Sequence, residues 1–176
     1  LGRMILEGKI KSIEEILMKG WKIKEPEIVD YLIPNLKIET ILIGKGGTKG
    51  GGKKRLPIKR SAKVTASGKR ISYSVMVAIG NENGVIGIGR GKSKDARTAY
   101  LQAVRRAKLN LIYVKRGCGS WECGCGEPHS IPYRTEGKSG SVRYILYPAP
   151  KGTGLVVNEE AKKLLRLAGI KAVSYT

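Results

Sequence analysis

The sequence predicts an α+β protein whose elements follow the order extension, β-β-β-α, connector and β-β-α. Residues 71–79 carry large apolar side chains at every second position, which is the period of a strand with one buried face. Residues 96–111 carry small or apolar side chains three and four positions apart, behind the capping residues Ser93 and Asp95, and this pattern predicts an amphipathic helix. A second pair of strands and a second helix are predicted after residue 130.

Two turns connect the three strands of the first unit. Asn83-Gly84 precedes the apolar run at 85–88, and both of its residues tolerate positive φ, so the pair predicts a two-residue hairpin. Upstream, residues 63–65 and the turn at 66–70 predict another strand and hairpin. The first unit is therefore a meander of three strands followed by one helix.

The second unit has its own hairpin and helix. Residues 131–135 and 142–146 flank a turn at 136–140 and predict a pair of strands. After a loop rich in Pro and Gly, Asn158 is a good N-cap for a helix with an apolar face, and Gly169 is a good stop.

Residues 1–52 are predicted to form an N-terminal extension rather than a domain. Residues 4–19 fit one short amphipathic helix, with Ser12 as its cap and Glu15 three positions later. The sequence pattern shows no neighbouring element that would cover the apolar face of this helix. The extension ends in a basic segment rich in Gly.

This basic arm, which we define as residues 44–63, predicts a polyanionic partner. It contains eight Lys or Arg, six Gly and no acidic residue, whereas residues 1–43 carry seven charges of each sign. The formal charge of +20 therefore arises entirely downstream of residue 43. Each cation that neutralises a phosphate releases condensed counterions, so the arm gains affinity for nucleic acid without a shape of its own. The arm residues expected to bind RNA are Lys45, Lys49, Lys53, Lys54, Arg55, Lys59 and Arg60.

Lys69 and Arg70 form a second candidate RNA contact at a predicted hairpin turn. A charged pair at a turn is commonly only solvated. In so basic a chain, two cations at a projecting turn also suit insertion into an RNA groove or junction.

The glycine-rich run at 87–93 leads from a strand into a helix. It fails both nucleotide-binding templates, because Ile86 stands where a P-loop needs Gly and Lys92 stands where the dinucleotide fingerprint needs Gly. Two interpretations remain: the glycines permit close backbone approach, which we favour, or amides at the helix start meet RNA phosphates. The cations near this run that are expected to bind RNA are Arg90, Lys92, Lys94 and Arg97.

All three Cys and the only His lie within twelve residues, at Cys118, Cys123, Cys125 and His129. Three thiolates and one imidazole make a complete tetrahedral zinc set, and four protein ligands leave no open position, so a zinc ion here would be structural. The alternative is chance clustering of thiols as small buried groups, and the single residue between Cys123 and Cys125 is tighter than usual ligand spacing. A Cys-His nucleophile is a further alternative, although no third orienting group or substrate pocket can be named for it. We predict no catalytic residue, no enzyme activity and no required cofactor.

Membrane insertion and secretion are not expected. No apolar run approaches the roughly 18 residues that a membrane span needs, and the first ten residues lack the apolar core of a secretory signal. An odd number of clustered Cys does not suggest a disulfide framework. A reducing, cytoplasmic location is expected.

Two long segments resemble a known family. They are SGKRISYSVMVAIGNENGVIGIGRGKSKDARTAYLQAVRRAKLNLI and GKSGSVRYILYPAPKGTGLVVNEEAKKLLRLAGI, and both are similar to the universal small-subunit ribosomal protein number five. The two segments cover about half of the chain, and the two domains that they imply, 53–116 and 130–176, cover about two thirds. The insert RGCGSWECGCGEPHSIPY and the N-terminal extension look like the archaeal branch of that family.

The resemblance implies a specific architecture and place. It implies a double-stranded-RNA-binding-domain-like unit at 53–116, a Cys/His connector at 117–129 and a small α/β second domain at 130–176. The implied location is the small ribosomal subunit near the path where mRNA enters, in contact with rRNA and the neighbouring ribosomal protein number four. There the family supports subunit assembly and decoding accuracy, and its basic hairpin, here residues 66–70, enters the rRNA.

A free-standing RNA chaperone or a zinc-dependent RNA-processing enzyme is the alternative function. It would require both an open coordination position at the Cys/His cluster and activity that survives away from ribosomes. Sedimentation of the native protein distinguishes this alternative from a ribosomal role.

Overall fold

The computed structural model describes residues 1–8, 10, 12–47 and 53–175 of the 176-residue chain. Chain contacts divide it into two compact units. The first unit comprises Leu1–Ile79 and Gly87–Ile112, and the second comprises Gly80–Ile86 and Tyr113–Thr176. The mixture of helices and strands agrees with the predicted α+β class. Within the described ranges, no helix is both long enough and apolar enough to cross a membrane.

Short helices come first and strands dominate the rest of the chain. The described elements are α1 (Gly2–Leu6), α2 (Ile13–Met18), α3 (Glu27–Leu32), β1 (Lys37–Ile41), β2 (Gly44–Gly47), β3 (Lys53–Leu56), β4 (Ile58–Thr65), β5 (Gly68–Gly80), β6 (Val85–Ser93), α4 (Ala96–Leu109), β7 (Leu111–Tyr113), β8 (Thr135–Ser139), β9 (Val142–Pro148), β10 (Leu155–Val156), α5 (Glu159–Leu167) and β11 (Val173–Tyr175).

The N-terminal helices contribute buried side chains to the first unit. Ile16 of α2 and Val29 of α3 have no exposed surface. Ser12 caps α2 as predicted, since its Oγ accepts the Glu15 N–H at 3.4 Å. The short helix expected within residues 4–19, with Ser12 as its cap, is α2. A further helix, α1, precedes it and ends at Leu6, just before Gly8 adopts a left-handed φ of 71°. The sequence pattern did not reveal α3 and β1, which lie in the same unit.

The largest sheet has the order β1-β5-β6-β7, with β4 paired to β5. The succession β4, β5, β6, α4 confirms the predicted β-β-β-α order. The predicted two-residue turn at Asn83-Gly84 is wrong. The loop spans residues 81–84 because the Asn81 Oδ1 accepts the N–H groups of Asn83 and Val85, at 2.8 and 3.0 Å. Positive φ angles fall at Glu82 (57°) and Gly84 (92°).

Alternate glycines of β6 lie directly against α4. The three alanines that they face are fully buried. The distances from an added Cβ to the facing carbonyl oxygen are 2.4 Å for Gly87 to Ala107, 2.2 Å for Gly89 to Ala103 and 1.9 Å for Gly91 to Ala99. The prediction that these glycines permit close backbone approach is therefore confirmed.

The second unit is built on a four-stranded sheet with the order β10-β11-β9-β8. The predicted hairpin exists, but its first strand is β8 at Thr135–Ser139 rather than residues 131–135, and its turn is at Gly140 and Ser141 rather than at 136–140. Residues 136–139 belong to the strand because they pair in register with β9 from Glu136↔Ile145 to Ser139↔Val142. Gly140 supplies the positive φ of 62° that the turn needs.

Helix α5 lies between the predicted cap and the predicted stop. Asn158 is the N-cap by position, but its side chain makes no capping hydrogen bond; its backbone carbonyl accepts the Lys162 N–H at 2.9 Å. Gly169 follows the helix with a φ of 78°. Leu167 and Val173 are among the largest side chains buried in this unit.

Candidate nucleic-acid interface and metal centre

Two described segments of the basic arm, Gly44–Gly47 and Lys53–Leu56, are the two short strands of a first hairpin. β2 and β3 pair antiparallel, with Lys45 directly opposite Arg55. Both side chains are exposed, as is that of Lys54. A Cβ on Gly44 would lie 2.3 Å from the Ile58 carbonyl oxygen, so glycine is required for this close approach to the start of β4. The arm therefore has strand structure, although its composition alone did not indicate any.

Three of the four remaining arm cations predicted to bind RNA lie in the described part of the chain, and one does not. Lys59 and Arg60 are exposed on β4. Lys53 begins β3, where its backbone pairs with Gly47. Lys49 lies outside the described residues.

A second hairpin, formed by β4 and β5, brings cations of both strands together. Lys63 lies directly opposite Arg70, and both are exposed. Because side chains alternate along a strand, Lys59 shares the face of Lys63 and Arg70. On the same face, the hydroxyls of Ser61 and Ser72 are 3.0 Å apart. Like charges directly opposite each other destabilise a sheet, so this face favours an anionic partner.

The turn of this hairpin is made of small residues. Ala66 and Ser67 form the turn, and Lys69 and Arg70 lie in β5 beside it rather than at its tip. The Thr65 hydroxyl donates to the Gly68 carbonyl at 2.7 Å. Gly68 has a φ of 106°, which favours glycine although an added Cβ would meet no atom within 4 Å.

The candidate residues around the start of α4 are exposed as well: Arg90 and Lys92 on β6, Lys94 in the connection, and Arg97 in the first turn of α4. By strand alternation, Arg90 and Lys92 occupy the face opposite to the glycines that contact α4. Asp95 caps the helix, since its Oδ2 accepts the Thr98 N–H at 3.2 Å. That hydrogen bond lowers the pKa of the Asp95 carboxyl.

Three exposed cations near these candidates were missing from the sequence-based set: Lys63, Arg105 and Arg106. Lys63 could have been found from its four-residue spacing with Lys59, which puts both on one face of a strand, and from its place three residues before the turn. The Arg106 guanidinium donates to the Arg90 carbonyl at 2.7 Å, a contact between α4 and β6 that no local pattern predicts.

The structure brings the four predicted metal ligands together. The ligand atoms of Cys118, Cys123, Cys125 and His129 all lie within 4.8 Å of one another. Cys125 Sγ is 3.0 Å from Cys123 Sγ and 3.8 Å from Cys118 Sγ. His129 Nε2 is 3.4 Å from Cys123 Sγ.

These distances and donor types fit a tetrahedral zinc ion. With Zn–S bonds of about 2.3 Å, the sulfur atoms of a tetrahedron are about 3.8 Å apart. One of the two measured sulfur separations matches this edge, and the other is shorter. His129 is buried and its Nε2 faces the thiols, whereas its Nδ1 has no hydrogen-bond partner among the described residues.

Hydrogen bonds favour the thiolate form of one of the three cysteines. The backbone N–H of Lys151, together with further hydrogen bonds, lowers the pKa of Cys123 to about 6. Desolvation raises the pKa of Cys118 to about 11. The Lys151 ammonium lies near the cluster and pairs with Glu127, with 2.7 Å between Nζ and Oε2. The cluster thus combines sulfur and imidazole donors with a neighbouring Lys151–Glu127 ion pair.

Comparison with known proteins agrees with this architecture. Residues 52–115 match the family model described as "Ribosomal protein S5, N-terminal domain". Residues 137–176 match the family model described as "Ribosomal protein S5, C-terminal domain". Small ribosomal subunit protein uS5 of Nanoarchaeum equitans is 52% identical over 98% of this chain and 74% of its own length. The proteins of the same name from Thermofilum pendens and Staphylothermus marinus are 51% and 50% identical over 98% of this chain, and 78% and 74% of their own lengths. This chain therefore belongs to the ribosomal protein S5 family in its archaeal form, a family of structural and non-enzymatic ribosomal proteins.

Proposed function

We propose that this chain is a constituent of the small ribosomal subunit in the cytoplasm that binds rRNA through its two basic hairpins. The observation that carries the proposal is the pairing of cations across both hairpins, Lys45 with Arg55 and Lys63 with Arg70. A free sheet gains nothing from opposed like charges. A phosphate backbone placed over them turns the repulsion into attraction and releases counterions.

The interface would position the RNA backbone rather than select a sequence. Exposed Lys and Arg side chains on strands reach phosphates, and phosphate contacts fix register and orientation without reading bases. The turn of the second hairpin adds only the small side chains of Ala66 and Ser67, which would let it enter a narrow RNA groove. The proposed contacts are Lys45, Lys49, Lys53, Lys54, Arg55, Lys59, Arg60, Lys69, Arg70, Arg90, Lys92, Lys94 and Arg97, to which the structure adds Lys63.

Within the ribosome we assign a role in subunit assembly and decoding accuracy. The proposed place is near the path of incoming mRNA and beside ribosomal protein number four. We also propose that residues 53–116 act as a double-stranded-RNA-binding-like unit, 117–129 as a connector and 130–176 as the second domain, after the N-terminal extension at 1–52. The β-β-β-α order and the matched ranges 52–115 and 137–176 support this division.

A zinc ion held by Cys118, Cys123, Cys125 and His129 would be structural in this proposal. The four ligand atoms lie within 4.8 Å of one another, and four protein ligands fill a tetrahedral shell. Metal binding would contribute folding free energy to a Gly-rich connector that has few apolar side chains. Because the family is non-enzymatic, the alternative of a zinc-dependent processing enzyme is set aside.

The test of the ribosomal proposal is incorporation into small subunits. The variant Lys69→Glu with Arg70→Glu reverses two exposed charges beside the turn, and the matched control Lys22→Glu with Lys24→Glu reverses two exposed charges outside the hairpins. We expect the control to co-sediment with small subunits like the unaltered chain and the hairpin variant to be depleted. Equal incorporation of both variants would contradict the proposal that this hairpin contacts the rRNA.

A further inference from the structure

A cleft in the second unit is lined by three cations, none of which belongs to the proposed RNA contacts. Its volume is about 700 Å³. Lys162 and Arg166 of α5 line it together with Lys171, and Glu82 is the one acidic residue among the lining residues. The cleft therefore has an excess of two positive charges.

Helix geometry explains why two of these cations converge. Lys162 and Arg166 are four residues apart, so their side chains lie on the same face of α5. Lys163 is not among the residues that line the cleft, and it pairs with Glu160 at 3.3 Å. Like charges four residues apart repel each other, so an anion bound between Lys162 and Arg166 would relieve their repulsion. Lys163, in contrast, already has Glu160 as its partner.

The backbone around the cleft holds Lys171 in place. Gly169 turns the chain after α5, and an added Cβ there would lie 2.0 Å from the Glu82 carbonyl oxygen, so this wall is tightly packed. The Lys171 N–H donates to the His129 carbonyl at 2.8 Å. At Gly154, in contrast, an added Cβ would meet no atom within 4 Å, which leaves that side of the cleft open.

We infer that this cleft binds the phosphodiester backbone of RNA as a separate site from the two hairpins. The Arg166 guanidinium can hold a phosphate with two parallel hydrogen bonds, and Lys162 and Lys171 add point charges beside it. A volume of about 700 Å³ admits a nucleotide-sized segment. RNA is the favoured polyanion because the same chain carries the two cationic hairpins. The inference thus rests on the proposed function and extends it to the second unit.

The first test measures the salt dependence of binding by the 176-residue chain to a 20-nucleotide oligouridylate. The cleft variant is Lys162→Gln with Arg166→Gln. The matched control, Lys163→Gln with Lys138→Gln, also removes two positive charges, one from α5 and one from an exposed position on β8. We expect the cleft variant to lower the log-log salt slope by about 1.4 to 1.8, at roughly 0.7 to 0.9 for each lost phosphate contact. The control should keep the slope of the unaltered chain; equal slopes for both variants would overturn the inference.

The second test follows backbone amide NMR signals in the unaltered chain, so it does not depend on how well the variants fold. Adding the oligouridylate should shift the signals of Gly154, Gly169 and Lys171. Shifts produced only by polyglutamate, or only by inorganic phosphate, would overturn the assignment to RNA. If hairpin amides shift and cleft amides do not, the cleft inference fails while the proposed function stands. If neither set shifts and the chain also fails to join small subunits, the proposed function itself fails.

Discussion

Gly91 of β6 lies so close to Ala99 of α4 that an added Cβ would sit 1.9 Å from the Ala99 carbonyl oxygen. Its other nearest neighbours are also backbone atoms, which cannot move aside as a flexible side chain would. The contact fixes the helix on one face of the strand. By alternation it directs Arg90 and Lys92 to the other face, where they are exposed.

Replacing Gly91 by Ala should therefore destabilise the protein strongly. Overpacking of a tight interior typically costs about 1–3 kcal/mol, and a clash with backbone belongs at the upper end of that range. The matched control is Gly137→Ala, since a Cβ at Gly137 would meet nothing within 4 Å. Chemical denaturation should show a large loss for Gly91→Ala and almost none for the control. Equal stability of the two variants would contradict the packing described for β6 and α4.

The Asp95 cap should give α4 a pH-dependent contribution to stability. The pKa of Asp95 is lowered in the folded chain, so its contribution is complete above the unfolded pKa near 3.8 and is lost as the pH falls through the folded value. At neutral pH, Asp95→Ala should lower Tm, while Asp95→Asn should largely keep it because Asn also caps. The difference in Tm between the unaltered chain and Asp95→Ala should shrink below pH 3.8. A difference that does not vary with pH would show that the carboxylate does not cap α4.

Repulsion between the opposed cations of the second hairpin should lower the stability of the protein when no RNA is bound. Lys63→Gln removes the charge opposite Arg70, so it should raise the free energy of unfolding by roughly 0.2–1 kcal/mol, with the gain fading as salt increases. The same variant should bind RNA more weakly. Lys24→Gln serves as the control, because its exposed side chain lies outside both hairpins. If Lys63→Gln lowers stability in low salt, repulsion across this hairpin is not significant.

The Cys/His cluster should hold zinc stoichiometrically. We expect about one zinc per chain, as for a closed four-ligand site, and Cys123→Ser should lower both zinc content and Tm. Trp121→Ala is the control, because this side chain lies in the same connector, is 92% exposed and offers no ligand atom. A chain without stoichiometric zinc whose three thiols all react freely would leave the cluster without a metal.

The sequence predicted those parts of the fold that depend on local periodicity. Two-residue alternation located β5, and the spacing of Ala99, Ala103 and Ala107 predicted both α4 and its close packing on a strand. The Cys and His residues were predicted to meet because they lie near one another in the chain with glycines between them. The exposure of Lys45, Lys54, Arg55, Lys59 and Arg60 also agrees with the composition of the arm.

Other features depend on partners that are distant in sequence or on a single side chain. The turn at Gly140 was misplaced because the register of β8 against β9 decides which residues extend the strand. The loop before β6 follows the hydrogen bonds of the Asn81 side chain, which a turn signal at Asn83-Gly84 does not reveal. The opposition of Lys63 and Arg70 emerges only once β4 is paired with β5.

The most direct test of the central claim is the salt dependence of binding to small-subunit rRNA. The hairpin variant replaces by Gln the four cations that oppose one another across the two hairpins, Lys45, Arg55, Lys63 and Arg70. The control replaces by Gln four exposed lysines outside both hairpins, Lys22, Lys24, Lys115 and Lys138. We expect the hairpin variant to lower the log-log slope by about 3, at roughly 0.7 to 0.9 for each phosphate contact, and the control to change it far less. Equal slopes for the two variants would contradict the claim that the opposed cations of the hairpins bind the RNA backbone.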